Sequence, residues 1–174
     1  MGRKPSIYEC DIFQQAAVEV VYSKGKASLV GILAEAAKEE DSNEELNSQL
    51  IEARDLDEVK MLLAKGADVN AMDSERKTAL MNAAYYGRPQ IVKFLLERGA
   101  DVNARYVDGC TALMWAAGEG EDETVEILLQ SGADIYATEN HHHTALMIAN
   151  RNFKGRATTR TARILADWEK THKK

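Results

Sequence analysis

The residues of this chain best suited to chemistry are few and scattered. His141, His142 and His143 stand in a row, Cys110 follows an Asp-Gly pair, and Tyr85 and Tyr86 are adjacent. Three successive imidazoles invite a metal reading. Adjacent side chains in an extended turn cannot all reach one ion, however, and no Cys, Asp or Glu is read beside them at a ligand spacing, so no metal site is expected. The run is read instead as three exposed residues at a turn tip, suited to partner contact or to a response near neutral pH. Cys110, in Asp108-Gly109-Cys110-Thr111, is read as a turn residue, because no base stands near to make it a thiolate. There is no nucleophile elbow, no zinc-binding His pair on a helix, no phosphate-cradling glycine loop and no dinucleotide fingerprint, so neither catalytic residues nor a cofactor are expected. Tyr85 and Tyr86 offer binding rather than catalysis, since rigid amphipathic rings are enriched at interface hot spots.

Composition supports that choice. The 174 residues are 45% hydrophobic and 29% charged, with 2 prolines, 2 cysteines and a net charge of −6. Such a chain can bury a core and is neither disordered nor linker-rich. No apolar run reaches the length of about 18 residues that a membrane span needs. The first residues, MGRKPSIYECDIFQQ, meet Glu9 and Asp11 before a signal-peptide core could form, so a cytoplasmic location is expected. Met1-Gly2 with Ser6 fits a myristoylation start poorly, because Arg3 follows the glycine. Cys10 and Cys110 are read as reduced thiols. Charge is unevenly placed: residues 151 to 174 carry eight basic side chains against Asp167 and Glu169, which leaves −12 on the first 150 residues. That acidic body disfavours nucleic acid and favours a basic partner.

The elements that must position these residues repeat with a period of 33. Gly66-Ala67-Asp68 returns as Gly99-Ala100-Asp101 and Gly132-Ala133-Asp134, Leu62-Leu63 as Leu95-Leu96 and Leu128-Leu129, and Thr78-Ala79-Leu80-Met81 as Thr111 to Met114 and Thr144 to Met147. A fixed period of this size marks stacked supersecondary units. Thr78, Thr111 and Thr144 are placed to cap a short first helix. Leu80, Ala83 and Ala84 give that helix an apolar stripe, as do Leu113, Ala116 and Ala117 one unit later, and their alanines let neighbouring units approach. Gly87 and Gly120 end it. A second helix follows, with Ile91, Val92, Leu95 and Leu96 in one unit and Val125, Leu128 and Leu129 in the next. Extended turns such as Asp101 to Arg105 connect the units.

Thr78 to Arg105 resembles the ankyrin repeat unit almost residue for residue: T-P-L-H-x-A-A, a glycine, a helix ending in L-L, then G-A-D-V-N-A. The departures are Ala79 for proline and Met81 for histidine. The resemblance covers residues 50 to 150 well and implies an all-α solenoid of stacked helix-turn-helix units with short extended fingers. An N-terminal helical hairpin and a C-terminal capping helix are expected to flank it. The expected segments are 1–42 as hairpin or cap, 43–73 as a first repeat with a degenerate start, 74–105 and 106–138 as the second and third repeats, and 139–174 as a fourth with an extended inter-helix loop. In the hairpin, Ser6 to Glu9 reads as a capping box, and residues 6 to 40 cover the first repeat or bind a partner. In the first repeat Leu50, Ile51 and Ala53 fall on one helix, and Val59, Leu62 and Leu63 on the next. In the last, Thr161, Ile164, Leu165 and Trp168 share a face.

The family resemblance implies that the concave face, built from turn tips and the exposed side of each first helix, binds another protein. Carried over by position, that face holds Ser74, Glu75, Lys77, Tyr85, Tyr86 and Arg105 from one unit. Val107, Asp108, Cys110, Gly118 and Glu119 come from the next, and His141, His143, Asn150 and Arg151 from the last. Trp115 is expected between helices rather than on this face. The functional expectation is a non-enzymatic, monomeric adaptor or inhibitor of a basic protein, with an immunity-type inhibitor of a toxin or nuclease as a variant. The alternatives are a module recruited to a membrane or nucleic acid through the basic C-terminus, or a piece of a larger assembly. Asn70 and Asn103 also resemble asparagines that are hydroxylated in some members of the family.

Overall fold

The computed structural model describes residues 43–151 and 159–172, all within the compact unit Asn43–Lys174. The hairpin expected over residues 6 to 40 and the lengthened connection 152–158 lie outside the described residues. The described residues contain eight helices and no strand. They are α1 (43–52), α2 (Leu56–Ala64), α3 (Ala79–Tyr85), α4 (Pro89–Glu97), α5 (Ala112–Glu119), α6 (Asp122–Gln130), α7 (Ala145–Asn150) and α8 (Thr159–His172). Ala53 is buried as expected but falls just past the end of α1.

Local chemistry sets the helix ends. Asp55 opens α2 by accepting from the amides of Asp57 and Glu58 at 3.0 and 3.4 Å. Thr78 and Thr144 cap α3 and α7 through Oγ1, which accepts from Met81 N and Met147 N at 3.3 and 3.4 Å. Thr111 departs from the pattern. Met114 N donates to its carbonyl oxygen at 3.0 Å, and the Thr111 hydroxyl is buried with no partner among the described residues. Pro89 starts α4 in the position where a missing N–H costs nothing, and Asp122 and Glu123 place negative charge at the start of α6. Gly120 ends α5 at φ 78°, a conformation that glycine enters without a Cβ penalty.

The helices form two layers. The first helices α3, α5 and α7 pack on one another in sequence, and behind them lie α2, α4, α6 and α8. Small side chains allow the close approach within the first layer: Ala83, Ala84, Ala116, Ala117 and Ala149 are all buried there. Between the layers Val92, Leu95, Val125, Leu128 and Leu165 are wholly inaccessible to solvent. Each contributes roughly 1.5–3 kcal/mol by leaving water. On α8, Thr161 and Leu165 are buried and Ile164 and Trp168 half-buried, which is the expected face.

Polar side chains tie unit to unit. Asn70 donates to the Gly99 carbonyl at 3.1 Å and accepts from Asp101 N at 2.7 Å; Asn103 does the same to Gly132 and Asp134 at 3.3 and 2.8 Å. The fingers are joined by backbone bonds, Val107 N to Glu75 O at 3.0 Å and Asn140 N to Asp108 O at 2.8 Å. Each finger tip needs one left-handed residue, and the three fall in register at Arg76, Gly109 and His142 (φ 65°, 86° and 64°). Two of the three are not glycine, a departure from the usual preference.

Candidate functional site

A groove of about 550 Å³ opens on the finger side of the first-helix layer. Its floor is α5, where Met114, Trp115, Gly118 and Glu119 recur one turn apart and so share a face. Tyr85, the last residue of α3, bounds one side; Ile148 of α7 and Arg151 just beyond it bound the other. Two fingers complete the wall with Asp108, Cys110, Glu139, His141 and His143. Gly118 lets α5 and α7 approach closely, since a Cβ there would lie 3.3 Å from Ile148 Cγ2.

An aromatic row crosses the site. Tyr86, Tyr85, Trp115 and Tyr106 meet successively edge to face, with centroids 5.0, 5.3 and 5.6 Å apart. Such pairs are worth about 0.5–1.5 kcal/mol each beyond area burial. Trp115, expected in the inter-helix core, is half-buried and lines the groove. Its register mate in α3 is the buried Asn82, a side chain small enough to fit between closely spaced helices where an indole cannot. The indole Nε1–H of Trp115 has no acceptor among the described residues.

Glu139 organises the histidines, which corrects two expectations. A carboxylate does stand beside the run: one Glu139 oxygen accepts from His141 N at 2.7 Å and lies 2.9 Å from His141 Nδ1. The other accepts from His143 N at 3.0 Å and lies 2.5 Å from His143 Nδ1. Nor are all three histidines exposed, because His143 is half-buried while His141 and His142 face solvent. Asp73, 66 residues earlier, braces its own finger the same way, accepting from Glu75 N and Lys77 N at 2.9 Å each. Glu139 is thus the turn brace of the last finger, one methylene longer, and the extra reach brings both imidazoles under its control. Burial opposes its ionisation, yet the two amides and two rings override that and hold its carboxyl down at about 2. Among the described residues no three His, Cys, Asp or Glu side chains converge to hold a metal ion.

Two other groups are displaced upward. Burial, reinforced by a hydrogen bond to Asp108, pushes the Cys110 thiol up to about 12, so it is a poor nucleophile. A hydrogen bond to Glu75 holds the Tyr106 phenol at about 12.

Of the residues expected on the concave face, Tyr85, Asp108, Cys110, Gly118, Glu119, His141, His143 and Arg151 come together around the groove. The others do not. Lys77 pairs with Glu52 of α1 at 3.0 Å, Glu75 accepts from the Tyr106 hydroxyl, and the Arg105 guanidinium donates to the Thr138 carbonyl. Val107 is exposed at a finger. Tyr86 is exposed under the guanidinium groups of Arg88 and Arg54, 5.0 and 5.7 Å from its ring. Met114, Trp115, Glu139 and Ile148 line the groove without having been expected there. Glu139 was signalled in the sequence by its 66-residue offset from Asp73.

Paired helices in two layers, repeated at 33 residues with fingers in register, define a helical repeat solenoid. A family model described as ankyrin repeats (3 copies) matches over residues 16–106, 49–139 and 104–172. The chain belongs to the ankyrin repeat family, whose repeats are protein–protein interaction modules. No curated protein matches the chain. No helix among the described residues is long and apolar enough to cross a membrane.

Proposed function

We propose that this protein is a non-enzymatic adaptor or inhibitor that holds a basic partner protein on its finger and first-helix face. The observation that carries the reading is the groove itself, where half-buried aromatic rings, an apolar floor and several carboxylates meet on rigid elements. Hot spots concentrate where rigid aromatic anchors sit in such a pocket. The acidic body, at −12 over the first 150 residues, steers a basic partner toward it. The test is hydrogen exchange on the complex with a partner purified from the native host. Protection is expected in residues 106–119 and 139–151. Protection confined to α4 and α6 on the opposite layer would overturn the reading.

A further inference from the structure

The charge and ring content of the groove specify what enters it. Its aromatic members, Tyr85 and Trp115, are in edge-to-face contact and half-buried, so their π-systems stand in a partly desolvated setting where a cation gains most. Among the described residues the lining holds three carboxylates, Asp108, Glu119 and Glu139, and the cation Arg151. Glu139 is engaged by two amides and two imidazoles. Asp108, by contrast, accepts from the neutral Cys110 amide at 2.8 Å, which leaves its charge in place. The apolar floor of Met114 and Ile148 suits an alkyl stem.

From these features, and resting on the concave-face reading above, we infer that the groove seats a cationic side chain, arginine best of all, projecting from an extended segment of the partner. Arginine fits because its planar guanidinium stacks on rings and meets carboxylates in a fork, while its stem covers apolar surface. Tyr85 and Trp115 contact the guanidinium and stem, and Asp108 supplies the opposing charge.

The test titrates the full chain with three short peptides that differ at one central residue: arginine, citrulline or glutamate. It reads the indole N–H resonance of Trp115, with Trp168 as internal control. Trp168 stacks on His172 at 4.1 Å and does not line the groove. The arginine peptide is expected to shift the Trp115 signal saturably and to bind roughly fivefold or more tighter than the citrulline peptide, the ratio that a cation–π contact of about 1 kcal/mol gives. Replacing Asp108→Asn keeps side-chain shape and is expected to reduce that preference, leaving the part that the rings supply. Equal binding of citrulline, or tighter binding of glutamate, would overturn the cationic seat while leaving the groove as the contact face. A Trp115 signal unmoved by any peptide would overturn the seat; if Trp115→Ala still weakened a native partner, the concave-face reading would survive it.

Discussion

The ring of Tyr85 meets the indole of Trp115 edge to face, with centroids 5.3 Å apart and planes at 78°. One residue closes α3 and the other lies in α5, so the contact both joins two repeats and forms part of the groove wall. The same pair therefore helps couple two repeats and shapes the groove.

The finger tips offer a test of backbone strain. His142 holds φ 64° on an exposed side chain, so His142→Gly is expected to raise stability by about 0.5–1 kcal/mol. Arg76→Gly should gain less, because it also removes the bond from Arg76 Nε to the Arg105 carbonyl at 3.3 Å. Gly109→Ala is expected to cost about 1–2 kcal/mol, since it places a Cβ at φ 86° within 3.3 Å of the Glu139 backbone. Urea midpoints for the three variants check the order.

The threonine caps are unequal. Thr78→Val removes a hydrogen bond at the start of α3 and is expected to cost about 1 kcal/mol. Thr111→Val replaces a buried hydroxyl that has no partner among the described residues and is expected to be neutral or stabilising. Equal losses in thermal melts of the two variants would contradict the difference in capping.

Much of this architecture is legible in the sequence because it depends on local signals. The 33-residue period, the Thr78 and Thr144 caps and the Leu62, Leu95 and Leu128 stripe all follow from spacing. Thr111 has the same sequence context as Thr78 yet loses its cap, because Met114 N finds a backbone acceptor instead. The site was less legible for a similar reason. The groove depends on where whole side chains fit, so Trp115 leaves a position that Asn82 fills. Lys77, Glu75 and Arg105 look like free surface charges until each is seen to tie one unit to another.

Acid should weaken the last finger through Glu139. Its carboxyl is held at about 2 in the folded protein against an ordinary value of 4.5. The stabilisation is therefore complete above the ordinary value and is lost as pH falls through the folded one. The stability difference between the parent and Glu139→Gln is expected to be largest above about pH 5 and to shrink steadily toward pH 2. Chemical denaturation at a series of pH values reads it.

Cys110 is expected to resist alkylation. With its thiol raised from 9.0 to about 12, its thiolate fraction at neutral pH falls on the order of a thousandfold. In a Cys10→Ser background, iodoacetamide labelling should be correspondingly slower than for a free exposed thiol, and should speed up on unfolding.

The most direct test of the central claim compares partner affinity between two faces of the stack. Trp115→Ala and Tyr85→Ala remove groove side chains, whereas Lys93→Ala changes an exposed residue of α4 that does not line the groove. Calorimetric titration with the native partner is expected to show Trp115→Ala weakened about tenfold or more, Tyr85→Ala weakened somewhat less, and Lys93→Ala unchanged. Undiminished affinity in Trp115→Ala together with a loss in Lys93→Ala would contradict it.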